Sequence, residues 1–318
     1  MQPPAPSLSF PLAFTALFLG AVAMGISPVF VRFADVGPFA SAFWRVCLAL
    51  PFLFLWMFWE ERRAGRNLGE ALKPNGAIVL SGVFFAGDLF FWHLAILNTT
   101  IANATFLACL APVWVLLFSN AFIGEPVGRK AMGGLALCLC GAGLLIGTSY
   151  SIAPERFIGD IYGFITSIFF GLYFLTVRVA RRSHSAGTLT FMSTSITAII
   201  LLAVTIVAGQ NLWPQSMVGV GALLALGLFC HTGGQGLLAV ALGALSAAFS
   251  SLVIFIEAVA AALFAWLIFN ENLTALQIAG GALILGGIWV ARPGSKRESG
   301  DSNAALTGNI EAGNKAER

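Results

Sequence analysis

Three charged side chains lie inside long apolar stretches of the chain and are the first candidates for chemistry: Arg45, Asp88 and Glu257. A charge within a hydrocarbon layer costs roughly 2.5–3.5 kcal/mol on insertion scales, so it is seldom kept without a partner or a pathway. Arg45 and Asp88 are opposite in sign and fall at similar depths on the helical rise. The sequence predicts a contact between them, which leaves open a structural ion pair or a role in a ligand pathway.

Aromatic and polar residues accompany these charges. Asp88 and Trp92 are one helical turn apart, so they share a face that offers a carboxylate and an aromatic ring to a ligand. Trp92 and His93 also lie close to the end of their stretch, where an aromatic belt at the membrane surface is an equal explanation. Trp92 and His93 are therefore candidates either for a binding site or for an aromatic belt at the membrane surface.

A second group of candidates lies in the other half of the chain. His231 and Gln235 share a helix face, and we expect them to line a cavity with Tyr173. The alternatives are a histidine that is hydrogen-bonded across helices and a tyrosine that only packs.

Glu257 is the candidate for proton transfer. It falls near the middle of its apolar stretch, where the loss of water favours the protonated carboxyl unless a partner compensates. The alternative is a neutral glutamic acid that is hydrogen-bonded to a neighbouring helix.

The composition indicates that lipid surrounds most of these residues. Of 318 residues, 58% are apolar and 10% are charged, against roughly 25% charged in a soluble domain. A net charge of +3 gives no basic surface broad enough for nucleic acid. We expect three partners, namely the bilayer, a small-molecule substrate and protons as the coupling candidate, and both a monomer and a homodimer remain open.

Ten membrane spans are predicted, because about 20 apolar residues cross a core of roughly 30 Å. They fall at about 11–31, 38–59, 76–97, 101–123, 131–149, 160–178, 187–208, 217–240, 245–269 and 273–291. With the N-terminus inside, the connectors on the outer side hold only Arg32 and Arg156, and the remaining Lys and Arg residues of the connectors fall on the inner side. Positively charged loops stay in the cytoplasm, so both termini are predicted to be cytoplasmic, in a bacterial-type inner membrane.

An internal repeat divides the chain. A single shift of 146 residues aligns the two halves without a gap. The aligned pairs include Arg32 with Arg178, Glu125 with Glu271, Gly134 with Gly280 and Gly141 with Gly287. Each half has five predicted spans, an odd number, so the halves should enter the membrane with opposite orientation, as in secondary transporters.

The motifs in each half resemble the EamA domain of the drug/metabolite transporter superfamily. In the first half these are Asn98-Thr99-Thr100-Ile101-Ala102-Asn103-Ala104, then Pro112 and Gly124-Glu125-Pro126; in the second half they are Asn270-Glu271-Asn272-Leu273-Thr274 and Gly280-Gly281. One position departs from the family pattern. Where the second half usually has a proline equivalent to Pro112, this chain has Ala258, preceded by Glu257.

The resemblance implies an all-α membrane protein with ten helices, four from each half around a central cavity. We assign 1–10 to a cytoplasmic N-terminus, 11–149 and 160–292 to the two repeats, 150–159 to an outer connector, and 293–318 to a disordered cytoplasmic tail. The implied function is transport of an amino acid, nucleoside or similar metabolite, with export favoured.

Other functional classes find little support in the sequence. The chain has no G-x-x-x-x-G-K-[ST] loop and no H-E-x-x-H, so no nucleotide, metal or other cofactor is expected. The run Phe85-Ala86-Gly87-Asp88 lacks the first glycine of the G-x-G-D pattern of intramembrane aspartyl proteases. An enzyme is therefore not expected, and an intramembrane enzyme or a non-transporting receptor or scaffold is the alternative.

The predicted topology can be tested with C-terminal fusions. A fluorescent protein that folds in the cytoplasm should be active at the C-terminus, and alkaline phosphatase, which needs the periplasm, should be inactive, because basic connectors are retained inside. The opposite pattern of activities would place the C-terminus outside.

Overall fold

The computed structural model describes residues 8–99, 101–147, 154–269 and 274–293. Within these ranges the regular elements are all helices, which confirms the predicted all-α class. A helix pairs its backbone groups within one segment, so it can cross a layer that contains no water. Glu271 and nearly all of the predicted tail lie outside the described residues.

Ten apolar helices follow one another along the described chain. They are α1 (Phe10–Phe33), α2 (Pro38–Arg63), α3 (Gly76–Asn98), α4 (Asn103–Ile123), α5 (Arg129–Gly147), α6 (Pro154–Ala180), α7 (Ala186–Val207), α8 (Met217–Leu242), α9 (Ala247–Ile268) and α10 (Ala275–Ala291). Short links join them, with one further helical turn at Leu68–Ala71.

Eight of these helices are long and apolar enough to cross a membrane. The other two are α5, whose last side chains lie outside the described residues, and α10, which has 17 residues. At about 1.5 Å per residue, α10 falls short of a core of roughly 30 Å. The count of ten spans therefore stays a prediction. The helix α6 begins at Pro154, earlier than the predicted start at 160.

Five of the ten apolar helices contain a break in the regular α-helix among the described residues, and the breaks in α1 and α8 lie beside polar residues of the bundle centre. In α1 the regular helix stops at Gly25 and resumes at Ser27, because Pro28 cannot donate the backbone hydrogen bond of a continuous helix. In α8 the segment Leu226–Gln235 is a π-helix. Such bulges change the direction of side chains and are frequent at functional sites. They place Ser27 and Gln235 toward the bundle centre.

The helices α5 and α10 cross at glycines. An added Cβ at Gly134 would lie 2.6 Å from the carbonyl oxygen of Gly287, and one at Gly141 would lie 2.6 Å from that of Gly280. At the crossing the Cys138 Sγ lies 3.6 Å from the carbonyl oxygen of Ile284. Small residues let the two backbones approach closely, which is how helices associate in lipid.

A charged contact joins the two halves of the chain at one end of the bundle. Arg178 on α6 donates from Nε to Glu125 Oε1 at 2.6 Å, and the second oxygen of Glu125 accepts from the backbone N–H of Ala247 at 2.9 Å. Arg178 also donates to the carbonyl oxygen of Leu242 at 2.7 Å. Glu125 thereby ties the end of α4 to α6 and to the start of α9.

Close packing at the α5–α10 crossing can be tested by adding one methyl group. Gly134→Ala should lower the stability of the purified protein by about 1–3 kcal/mol, because the new Cβ overlaps the α10 backbone. The measurement is thermal unfolding in detergent. Gly133→Ala is the matched control, since a Cβ at Gly133 meets no atom within 4 Å. Equal melting temperatures for the two variants would contradict the tight crossing.

Candidate functional site

A cavity of about 90 Å³ lies between helices from both halves of the chain. A space of this size has room for a few water molecules. Five of the predicted site residues line it: Arg45, Asp88, Trp92, Gln235 and Glu257. The structure thus gathers residues from α2, α3, α8 and α9 around one space.

The Arg45 side chain is 7% exposed and has few protein partners. One terminal nitrogen donates to Ser27 Oγ at 3.3 Å, while Nε has no hydrogen-bond partner. In the described part of the chain no salt bridge joins Arg45 to Asp88, and the guanidinium is hydrogen-bonded to Ser27 of α1. The direct contact expected from the sequence is absent.

The two carboxyl groups of the cavity are also without salt bridges among the described residues. Asp88 is 8% exposed and Glu257 is partly buried, and both line the cavity. Arg45, Asp88 and Glu257 therefore line one cavity without direct ion pairing among the described residues.

Aromatic and amide groups complete the lining. Trp92 lies one turn from Asp88, and both face the cavity. Gln235 accepts a hydrogen bond from Tyr173 Oη at 3.2 Å. Tyr173 is therefore placed behind the lining, where it orients the amide of Gln235 and packs against the Phe85 ring at 4.8 Å between centroids.

The two predicted histidines are buried outside this lining. Nδ1 of His93 lies 2.6 Å from the carbonyl oxygen of Leu89 on the preceding turn. Nε2 of His231 lies 2.8 Å from Thr194 Oγ1 on α7, the helix-to-helix hydrogen bond that was the alternative for this residue. Each histidine has a second ring nitrogen without a partner among the described residues. They support the site from behind rather than line it.

The comparison with protein families covers both halves of the chain. The EamA-like transporter family matches residues 11–147 and again residues 157–292. The chain belongs to the EamA-like transporter family. The family resemblance drawn from the sequence is confirmed, and the chain is an integral membrane protein of the drug/metabolite transporter type.

Relatives of this EamA-like protein are named as transporters. An uncharacterized transporter of Archaeoglobus fulgidus is 28% identical over 285 residues, which cover 87% of this chain and 94% of the relative. The pseudopaline exporter CntI of Pseudomonas aeruginosa is 26% identical over 222 residues, or 69% of this chain and 76% of the relative. These names are consistent with the expectation that the chain is not an enzyme.

A solved crystal structure shares the fold of this EamA-like transporter. The two superpose with a TM-score of 0.77 at 18% sequence identity, over 89% of this chain and 97% of the other. Identity at this level supports the architecture and carries no information about substrate.

Sequence reasoning missed two hydroxyl residues of the EamA-like cavity. Ser27 and Thr166 line it, although hydroxyl residues within spans carry no signal that separates lining from packing. The pair Ser27-Pro28 did hold a usable clue, because a proline within an apolar stretch predicts a helix break and exposes neighbouring polar atoms.

Electrostatic coupling between Arg45 and Asp88 can be measured with a double-mutant cycle. Arg45→Gln and Asp88→Asn should each destabilise the purified protein, and the double variant should lose less than the sum by about 1 kcal/mol, because removing one charge leaves the other uncompensated. The charge-swapped pair Arg45→Asp with Asp88→Arg should also recover part of the expression that the single changes lose. Strictly additive losses would show that the two charges are independent.

Proposed function

We propose that this chain is a secondary transporter that exports a small organic metabolite through the central cavity in exchange for protons. The observation that carries the proposal is the set of three charged side chains, Arg45, Asp88 and Glu257, around one cavity without an ion pair among the described residues. Because each charge inside a membrane is costly, such groups are kept for partners that arrive and leave.

The charge balance of the cavity supports proton exchange. Arg45 can neutralise one carboxylate, and Asp88 and Glu257 provide two. The second carboxyl group is left without a compensating charge in a medium of low polarity, so it favours binding a proton or a cationic group. Glu257 is the exchange site in this proposal: it holds a proton when the substrate is absent and releases it when a cationic group binds.

The same three groups favour a zwitterionic substrate, such as an amino acid or a related metabolite. A carboxylate of the substrate can pair with Arg45, whose planar guanidinium offers several donors in fixed geometry. An ammonium group can pair with Asp88 or Glu257, and the Trp92 ring can contact an apolar or cationic part. A nucleoside would instead contact the Trp92 ring and the amide of Gln235.

The small volume of the cavity supports alternating access. Ligand pockets usually measure roughly 300–1,000 Å³, whereas this cavity measures about 90 Å³. A metabolite can therefore enter only when helices of the two halves separate. Glu125 and Arg178 connect the halves at one end of the bundle, so this contact is a candidate for the closed side.

We further propose ten spans arranged as two inverted repeats, with both termini in the cytoplasm of a bacterial-type cell. The α5–α10 crossing supports this arrangement, because its contacts are exchanged by the shift of 146. Cys138 contacts its own equivalent, Ile284, while Gly134 meets the equivalent of Gly141, which is Gly287, and Gly141 meets the equivalent of Gly134, which is Gly280. A two-fold axis in the membrane plane relates equivalent residues in this way. Export is the favoured direction, in line with the name of the Pseudomonas relative.

The role of Glu257 can be tested in liposomes with a pH gradient. One exchanged proton and one unit of pH difference can sustain about tenfold accumulation of substrate, since 1.4 kcal/mol is a factor of ten. Glu257→Gln should abolish this accumulation while exchange of labelled for unlabelled substrate survives, because a glutamine cannot release a proton. Amino acids and nucleosides are the first substrates to screen.

The control is Glu155→Gln, which removes an exposed carboxyl group outside the cavity lining and should transport like the unmodified protein. A wild-type pH profile in Glu257→Gln, or substrate flux without proton movement, would favour facilitated diffusion. A chemically altered product in the liposomes would instead indicate an enzyme.

A further inference from the structure

A second concave site lies on the lipid-facing side of the bundle. An apolar groove of about 400 Å³ runs between α1 and α10 over the surface of α9. Its floor includes Phe249 of α9, which is buried, and its walls include Leu285 and Trp289 of α10, which are 51% and 74% exposed. The volume is within the usual range of ligand sites, and the groove opens to the hydrocarbon layer.

The groove has a cationic end. Arg292 follows the last residue of α10, and its guanidinium carbon lies 5.2 Å above the centre of the Phe10 ring. Arg292 is exposed, and no salt bridge occupies it in the described part of the chain. The guanidinium lies over the Phe10 ring and takes part in no salt bridge among the described residues, so its N–H groups can donate to an anion.

We propose that this groove binds an anionic phospholipid, with one acyl chain between α1 and α10 and the headgroup phosphate on Arg292. An acyl chain fits the aromatic surface of Phe14 and Phe249, whose rings are 6.2 Å apart and stacked. The headgroup phosphate then accepts hydrogen bonds from Arg292 at the end of the groove. Negative charge and an alkyl chain are combined in a phospholipid, whereas a free phosphate ion would leave the apolar groove unfilled.

The site lies directly behind the transport cavity. Ile256 forms part of the groove floor, and its neighbour Glu257 lines the cavity on an adjacent face of α9. A lipid in the groove therefore packs against the helix segment that carries Glu257.

The test is native mass spectrometry of the purified full chain with dioleoyl phosphatidylglycerol and, separately, dioleoyl phosphatidylcholine. Arg292→Gln should weaken retention of phosphatidylglycerol about fivefold, since one basic residue at the surface is worth about 1 kcal/mol toward an anionic lipid. The matched control is Arg63→Gln, because Arg63 also lies 5.2 Å above an aromatic ring, that of Trp59, but does not line the groove.

A second variant tests the groove itself. Thr15 is an exposed groove residue of α1, so Thr15→Trp should fill the groove and lower retention of both lipids without unfolding the protein. Equal retention of the two lipids by the unmodified chain, or equal effects of the Arg292 and Arg63 changes, would overturn the proposal. A loss with Arg292→Gln but none with Thr15→Trp would also overturn it, since binding would then need only the surface charge.

Discussion

The low polarity of the surrounding lipid controls which charges this protein can keep, because an unpaired charge is costly there. Two carboxylates at helix ends are held by arginines: Glu61 by Arg66 at 2.5 Å, and Glu125 by Arg178 at 2.6 Å. The Glu125–Arg178 pair connects two helices, and Glu61 reaches α7 through hydrogen bonds from Ser185 and Thr188, so neither carboxylate has much left to offer a ligand. Arg45, Asp88 and Glu257 differ because they meet at a cavity without such pairing among the described residues. This contrast is the basis of the proposal that these three charges, rather than the paired ones, meet the substrate.

Packing determines where that cavity forms. Glycines bring α5 and α10 into backbone contact at one edge of the bundle, and Gly25 of α1 brings its backbone close to α9. The break after Gly25 and the π-helix in α8 then turn polar atoms toward the space that remains. Irregular backbone at membrane depth is tolerated where it is buried in protein or lines a cavity. The site therefore depends on interruptions of helices whose other parts pack regularly.

The sequence predicted the helices well because a fixed length of apolar residues is needed to cross lipid, and connectors are marked by charge and proline. It also indicated that Asp88 and Trp92 act on one face, since spacing along one helix fixes their relative direction. It did not predict that Arg45 is hydrogen-bonded to Ser27 or that His93 lies behind the lining, and for His231 it left the cross-helix hydrogen bond open as an alternative. These features depend on the rotation of each helix against its neighbours, which spacing within one helix does not determine.

The position of α9 links the two proposed sites. One residue of this helix, Ile256, meets the lipid-facing groove, and the next, Glu257, meets the charged cavity. A helix between lipid and a charged cavity can move only if the contacts on both faces change together. Protonation of Glu257 removes a charge on the cavity face, and exchange of a bound lipid changes packing on the other. If α9 moves during transport, its displacement therefore depends both on protonation of Glu257 and on the lipid in the groove, although the proton and the lipid do not contact each other.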